Sequence, residues 1–207
     1  MSTKQTLPFI LFLSVFTYSF AQDTQTVYQG YSGGMLLHAG WLGGSQSSQP
    51  YNPQGATVGI GGAIRVHLWK HLRLGSEGYV STMPSSMTDA RSVLQQGSYI
   101  RNGWGGLLAD ACWRLEKFWP YVGAGMGGGS KKSLFIVDGS QTDWLPETES
   151  IFNKQTYFYV SPFVGFDYVL TPAIHLSFKL DCMLSFHRGD LLTPVGPRLY
   201  FGIMFCH

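Results

Sequence analysis

Ile174-His175-Leu176-Ser177-Phe178-Lys179-Leu180-Asp181-Cys182-Met183-Leu184-Ser185-Phe186 alternates without a break. Side chains along a strand point to opposite faces in turn. One face of this segment therefore carries Ile174, Leu176, Phe178, Leu180, Cys182, Leu184 and Phe186. The other carries His175, Ser177, Lys179, Asp181, Met183 and Ser185. The first face is bulky and apolar, and every charge lies on the second.

The same division recurs along the chain. Val58, Ile60, Gly62, Ile64, Val66 and Leu68 oppose Gly59, Gly61, Ala63, Arg65 and His67. Leu72, Leu74 and Val80 oppose Arg73, Glu77 and Tyr79, and Leu107, Ala109, Ala111 and Trp113 oppose Asp110, Cys112 and Arg114. Phe158, Val160, Val164 and Phe166 oppose Ser161, Phe163, Gly165 and Asp167, while Leu199, Phe201, Ile203 and Phe205 oppose Arg198, Tyr200 and Gly202. On this parity the apolar face is expected to hold no charge. A soluble barrel places large apolar residues inside and charge outside. Here glycine, alanine and serine share a face with the charges. In a narrow eight-stranded barrel the crowded interior needs small residues. The charges go inside with them, and the apolar face is left for lipid, where a cation at the midplane would cost about 2–4 kcal/mol.

Eight strands are expected, at about 29–42, 56–69, 72–82, 99–114, 118–128, 155–170, 173–186 and 196–206. Each is long enough to cross a bilayer at a tilt. Short connections at His71, Glu116-Lys117 and Thr171-Pro172 alternate with long ones at about 43–55, 83–98, 129–154 and 187–195. Within the longest, Leu134 to Val137 can continue the fifth strand. Pro162 falls mid-strand and removes a ladder hydrogen bond, so a bulge or local bend is expected there. Trp41, Trp69, Trp113, Phe118, Trp119, Tyr157, Tyr168 and Phe205 lie near strand ends, where aromatic girdles belong. The fold class is an all-β, closed, up-and-down antiparallel transmembrane barrel.

Composition agrees. Charged residues make up 13% of the chain, well under the usual quarter, while aromatics reach 15% and glycines number 26. A soluble surface needs more charge. Nothing after Ala21 approaches eighteen consecutive apolar residues, which argues against a helical membrane protein. A net charge of +2 without a basic run gives no reason to expect nucleic acid. Lys4, the apolar Leu7 to Phe16, and Ser19-Phe20-Ala21 follow the order of a secretory signal. Residues 1–21 are expected to be a cleaved signal peptide and residues 22–207 the barrel. The three cysteines, Cys112, Cys182 and Cys206, leave at least one thiol unpaired within the chain and have no metal-ligand spacing.

Two local features carry a family resemblance. Pro120-Tyr121-Val122-Gly123-Ala124-Gly125 is similar to a strand opening of small outer-membrane barrels. Tyr200-Phe201-Gly202-Ile203-Met204-Phe205-Cys206-His207 is similar to the C-terminal signal of such proteins, although His207 stands after the aromatic residue that usually ends it. The chain thus resembles the OmpA/OmpX type of eight-stranded, porin-like barrel from the Gram-negative cell envelope. The resemblance implies insertion in the outer membrane with periplasmic termini and outer loops outside; with the sequence stopping at the eighth strand, no separate periplasmic domain is expected. It implies contact with outer-membrane lipid and lipopolysaccharide, help from the barrel-assembly machinery read through Tyr200, Gly202 and Phe205, and a monomer.

Within the lumen, Arg65, Glu77, Asp110, Asp167 and Lys179 are expected to form one interlocked ion-pair layer, because isolated charges in so dry a space are costly. Arg73, Arg114, His67 and His175 are expected to form a second layer nearer the periplasm. Three functions are open: a structural or surface-interaction barrel, a narrow ion conductor, and a lipid A-modifying hydrolase. The third rests on His175-Leu176-Ser177, which is similar to the His-x-Ser element of lipid A deacylases. That family also wants a glutamate shortly downstream, where this chain has only Asp181 and Asp190. Catalysis is not expected. His38, His67, His175, His187 and His207 lack paired metal spacing, and no metal or other cofactor is expected. The glycine run 123–129 lacks the Lys-Ser/Thr and helix of a phosphate loop, so it belongs to a barrel wall.

Overall fold

The structure, a computed structural model, describes residues 27–42, 55–83, 99–138, 148–186 and 193–207. The expected signal at 1–21 lies outside them, as do His187 and Asp190. Eight strands follow in order: β1 (Tyr28–Leu42), β2 (Gly55–Leu68), β3 (Leu72–Met83), β4 (Tyr99–Cys112), β5 (Phe118–Asp138), β6 (Thr148–Thr171), β7 (Ile174–Phe186) and β8 (Thr193–Cys206). Each pairs antiparallel with the next, and β1 pairs with β8 to close the barrel. Where all eight strands pair, closure leaves no open sheet edge.

The ends are set by local geometry. Two tight turns place a non-glycine residue in the left-handed region, Trp69 at φ 48° and Glu116 at φ 44°. Leu115 and Phe118 exchange backbone hydrogen bonds around Glu116-Lys117, so β4 stops at Cys112, before the expected Arg114. Gly30 (φ 113°) and Gly196 (φ 109°) sit where the β1–β2 and β7–β8 registers shift. These two bulges need a residue that tolerates positive φ.

Two expectations are corrected. The stretch 129–154 is mostly strand: β5 and β6 stay paired from Phe118↔Tyr168 up to Asp138↔Thr148. Its described polar residues lie on a two-stranded ribbon that rises above the rest of the sheet. No bulge forms at Pro162. The β5–β6 ladder runs through Ala124↔Pro162, and the β6–β7 ladder lapses at Ser161-Pro162 but resumes in the same register at Phe163↔Asp181. The missing N–H costs ladder bonds without displacing the strand.

Burial follows parity. Leu37, Ile60, Ile64, Leu107, Val122, Val164, Leu180 and Ile203 are exposed on the outer wall. Inside, Leu36, Tyr79, Trp104, Leu108, Tyr121, Tyr159, Phe163 and Tyr200 pack in one cluster. Rings and glycines face each other across the lumen side of the ladder: His38↔Gly59, Gly61↔Tyr79, Tyr121↔Gly165 and Gly129↔Tyr157. A Cβ at any of those glycines would collide with the opposing ring. The inward glycines thus make the room that the rings fill. Trp119 and Tyr157, expected in the outer girdle, also turn inward against this cluster. Trp41, Trp69, Trp113, Phe118, Tyr168 and Phe205 stay exposed.

Candidate functional site

Among the described residues, eight charged side chains in the lumen are no more than 6% exposed: Arg65, Arg73, Glu77, Asp110, Asp167, Lys179, Asp181 and Arg198. They form two networks of two cations and two anions each. In the lower one, toward the short turns, Arg73 lies directly opposite Asp110 in the β3–β4 ladder. Arg73 Nε donates to Asp110 Oδ1 at 2.5 Å, and its Nη1 donates to Asp167 Oδ2 at 2.7 Å. Arg65 Nε reaches Asp110 Oδ2 at 3.3 Å as an ion pair without hydrogen-bond geometry. The Tyr121 ring lies 5.0 Å from the Arg65 guanidinium and 4.6 Å from that of Arg73. Its electron-rich face offsets part of the repulsion between the two cations.

In the upper network Lys179 Nζ donates to Glu77 Oε2 at 2.7 Å and lies 4.0 Å from Asp181 Oδ2. Asp181 and Arg198 face each other across β7 and β8. Arg198 binds that carboxylate with two parallel bonds of 2.8 Å, from Nε to Oδ1 and from Nη2 to Oδ2. Ser161 Oγ and Tyr200 Oη each donate to Asp181 Oδ2 at 3.0 Å. Lys179 Nζ stands 4.2 Å from the Tyr200 ring centre, and the Arg198 guanidinium 4.5 Å from that of Trp104.

The five residues expected in one layer are therefore divided. Arg65, Asp110 and Asp167 belong to the lower network; Glu77 and Lys179 belong to the upper. Arg73, expected in a separate layer, joins the lower network because its side chain reaches Asp110 and Asp167. Asp181 and Arg198 complete the upper network. Sequence parity had already turned both inward, but their pairing depends on the β7–β8 register.

Of the rest of the second expected layer, His67 and Arg114 border a cavity of about 300 Å³ at the short-turn end, lined also by Tyr31, Trp119, Cys206 and His207 among others. Arg114 Nη2 lies 3.2 Å from His67 Nδ1, and Ser32 Oγ lies 3.0 Å from His67 Nε2. His175 and Ser177 both point inward but engage different partners. His175 Nδ1 lies 3.3 Å from Cys206 Sγ, and Ser177 Oγ lies 3.2 Å from Tyr121 Oη. Of the C-terminal residues, Tyr200 and Gly202 are buried in the wall, whereas Phe205 is exposed on it.

The outer wall departs from expectation at one level. Arg101 on β4 pairs in register with Lys132 on β5, and Lys132 with Lys154 on β6. All three are exposed. Residues directly opposite share a face, so these cations form one outward row across three strands. The same row continues to Thr82 and Val58, which are uncharged. Arg101 lay within the fourth expected strand, on the face expected to be free of charge; Lys132 and Lys154 lay in the expected loop. No salt bridge joins any of the three to a carboxylate among the described residues.

No family model matches the sequence, and no curated protein does. Solved structures do. The chain is similar to Neisserial surface protein A, at 15% identity over 85% of this chain and 96% of that one, with a TM-score of 0.54. It is also similar to the outer membrane protein OprG from Pseudomonas aeruginosa, at 13% identity over 89% of this chain and 99% of that one, with a TM-score of 0.51. The fold is that of the eight-stranded outer-membrane barrels. At such identities the likeness is one of architecture.

Proposed function

We propose that the protein spans an outer membrane as a plugged barrel and works through its outer rim and loops, in a structural or surface-interaction role. The observation that carries this reading is the occupied lumen. Two neutral ion-pair networks, interleaved with Tyr79, Trp104, Tyr121, Tyr159 and Tyr200, fill the space a solute would need. The exposed apolar wall supports the membrane setting, since a protein in water would not present Met35, Leu37, Ile60, Ile64, Leu107 and Met126 together. In this reading the termini and short turns face the periplasm, and the β5–β6 ribbon stands outside.

Membrane fractionation with a heat-modifiability gel tests the setting, and planar-bilayer recording tests the plug. The expected result is a protein that sediments with outer membranes, shifts in mobility on boiling and gives no steady conductance. A mature chain that is monomeric in water without detergent overturns the reading. Ion conduction is the second reading. It is favoured by buried polar atoms that lack hydrogen-bond partners among the described residues, on His38, Tyr79, Trp104 and Tyr159.

A further inference from the structure

We propose that Arg101, Lys132 and Lys154 form a binding row for the phosphate groups of an anionic lipid in the outer leaflet. The inference rests on the membrane setting proposed above and supplies a ligand for the outer rim.

Three observations lead to it. First, the row is a register fact: Arg101↔Lys132↔Lys154 brings three cations side by side. Paired Cα atoms lie about 4.5–5.5 Å apart, so the row spans about 10 Å. Like charges directly opposite disfavour the sheet unless something anionic lies against them. In the strands below the tip of the β5–β6 ribbon, these are the only charges at outward positions among the described residues.

Second, the row stands at headgroup height. Arg101 lies twelve residues above Trp113, an exposed ring at the short-turn end, and Lys132 and Lys154 each lie fourteen residues from Phe118 and Tyr168. At about 3.3 Å per residue and a tilt of about 40°, this puts the cations roughly 30–35 Å above that girdle. The apolar band of such barrels is about 25 Å tall. The cations thus clear the hydrocarbon and reach the level where lipid phosphates lie.

Third, the wall beneath Arg101 and Lys132 is bare, and Phe158 bounds it on the β6 side. Gly62, Gly78, Gly105 and Gly128 form one outward row over four strands, with Gly103 and Ser130 between it and the cations. The inward glycines give way to rings, but a Cβ at Gly78, Gly103 or Gly128 would meet nothing closer than 3.8 Å. Internal packing does not demand glycine at those three positions. An acyl chain can lie flat there while its headgroup meets the row. The glycines alone name no ligand; the cations above them select a phosphate, which arginine grips through paired N–H groups and lysine as a point charge.

The test uses the full mature protein in zwitterionic detergent micelles doped with bis-phosphorylated lipid A, washed on an affinity column, with bound lipid quantified by mass spectrometry. The wild type is expected to retain the lipid. The variant Arg101→Gln/Lys132→Gln/Lys154→Gln is expected to bind roughly a hundredfold more weakly, at about one surface cation's worth of attraction for each side chain removed. Lys132→Gln alone, at the centre of the row, is expected to show a smaller loss and serves if the triple variant does not fold. Enzymatically dephosphorylated lipid A is expected to be poorly retained by both proteins. Equal retention by wild type and variants, equal retention of the dephosphorylated lipid by the wild type, or full competition by inorganic phosphate each overturns the proposal. Fractionation of the same cells separates the two readings: a wild type absent from the outer membrane fails the membrane setting, whereas one present there with lipid retention unchanged by substitution fails only the phosphate row.

Discussion

Inside the barrel, Arg73 and Arg198 are each held by carboxylates at 2.5–2.8 Å and are no more than 5% exposed. Outside it, Arg101 is exposed, stands at the end of a row with two lysines and makes no ion pair with the described carboxylates. The side chain is the same and the surroundings are opposite. In the lumen an unpaired charge would have to stay desolvated, so neutrality is enforced locally, network by network. At the rim, solvent or a headgroup supplies what the protein omits. Charge inside the wall therefore serves the fold, and charge outside it is free for recognition.

Breaking the inner rule has the largest expected effect. Asp110 accepts from Arg73 and is the nearest carboxylate to Arg65, so Asp110→Ala leaves one guanidinium uncompensated and the other with Asp167 alone. A loss of about 3–5 kcal/mol is expected, read as a shift in urea unfolding of the barrel in lipid vesicles. A loss below about 1 kcal/mol would show that water solvates the lower lumen and that neutrality is not enforced there.

Lys179→Met removes the cation that holds Glu77 and is expected to cost about 3 kcal/mol. The double variant Glu77→Gln/Lys179→Met removes both charges and is expected to recover most of that loss, because no buried charge is left alone. Additive losses in this double-mutant cycle would mean that the pair is not coupled, and the upper network would then be an accident of crowding.

How much of this was legible beforehand follows from what each feature depends on. Parity depends only on a strand's own sequence, so the alternation from Ile174 to Phe186 gave both faces of β7, and the closed barrel followed. The height of a charge depends on stagger between strands and on side-chain reach. Counting residues from the turns therefore put Glu77 and Lys179 level with Asp110 and kept Arg73 apart from it. Asp181 and Arg198 were visible as inward residues, but only the β7–β8 register makes them partners. The outer cation row was missed for a related reason. Lys132 and Lys154 follow and precede polar residues that read as loop, and only the β5–β6 pairing shows them to be strand neighbours of Arg101.

The two glycine classes sharpen the same contrast at smaller cost. Gly61 faces Tyr79 inside, and an added Cβ would strike both that ring and the backbone oxygen of Gly78. Gly61→Ala is expected to cost about 1–3 kcal/mol, as overpacking does. Gly103 faces outward with nothing within 3.9 Å of an added Cβ. Gly103→Ala is expected to be neutral or to stabilise by up to about 1 kcal/mol, since it lowers the entropy of the unfolded chain without a clash. If both substitutions cost the same, the inward glycines are not making room for rings.

The smallest effect concerns the row itself. Lys132 has a cation on either side in the ladder, so Lys132→Gln relieves two repulsions at once. In micelles free of anionic lipid, the unfolding free energy is expected to rise by a few tenths of a kcal/mol, up to about 1. Raising ionic strength should shrink that gain, because exposed charges are screened over about 10 Å at 0.1 M salt. With phosphorylated lipid present the sign should reverse, since the wild type then gains a ligand that the variant binds weakly. A substitution that destabilises the barrel equally with and without the lipid would assign Lys132 a structural contact and remove it from the row. The lumen charges offer the internal control: enclosed among one another, they should give effects that ignore both salt and lipid.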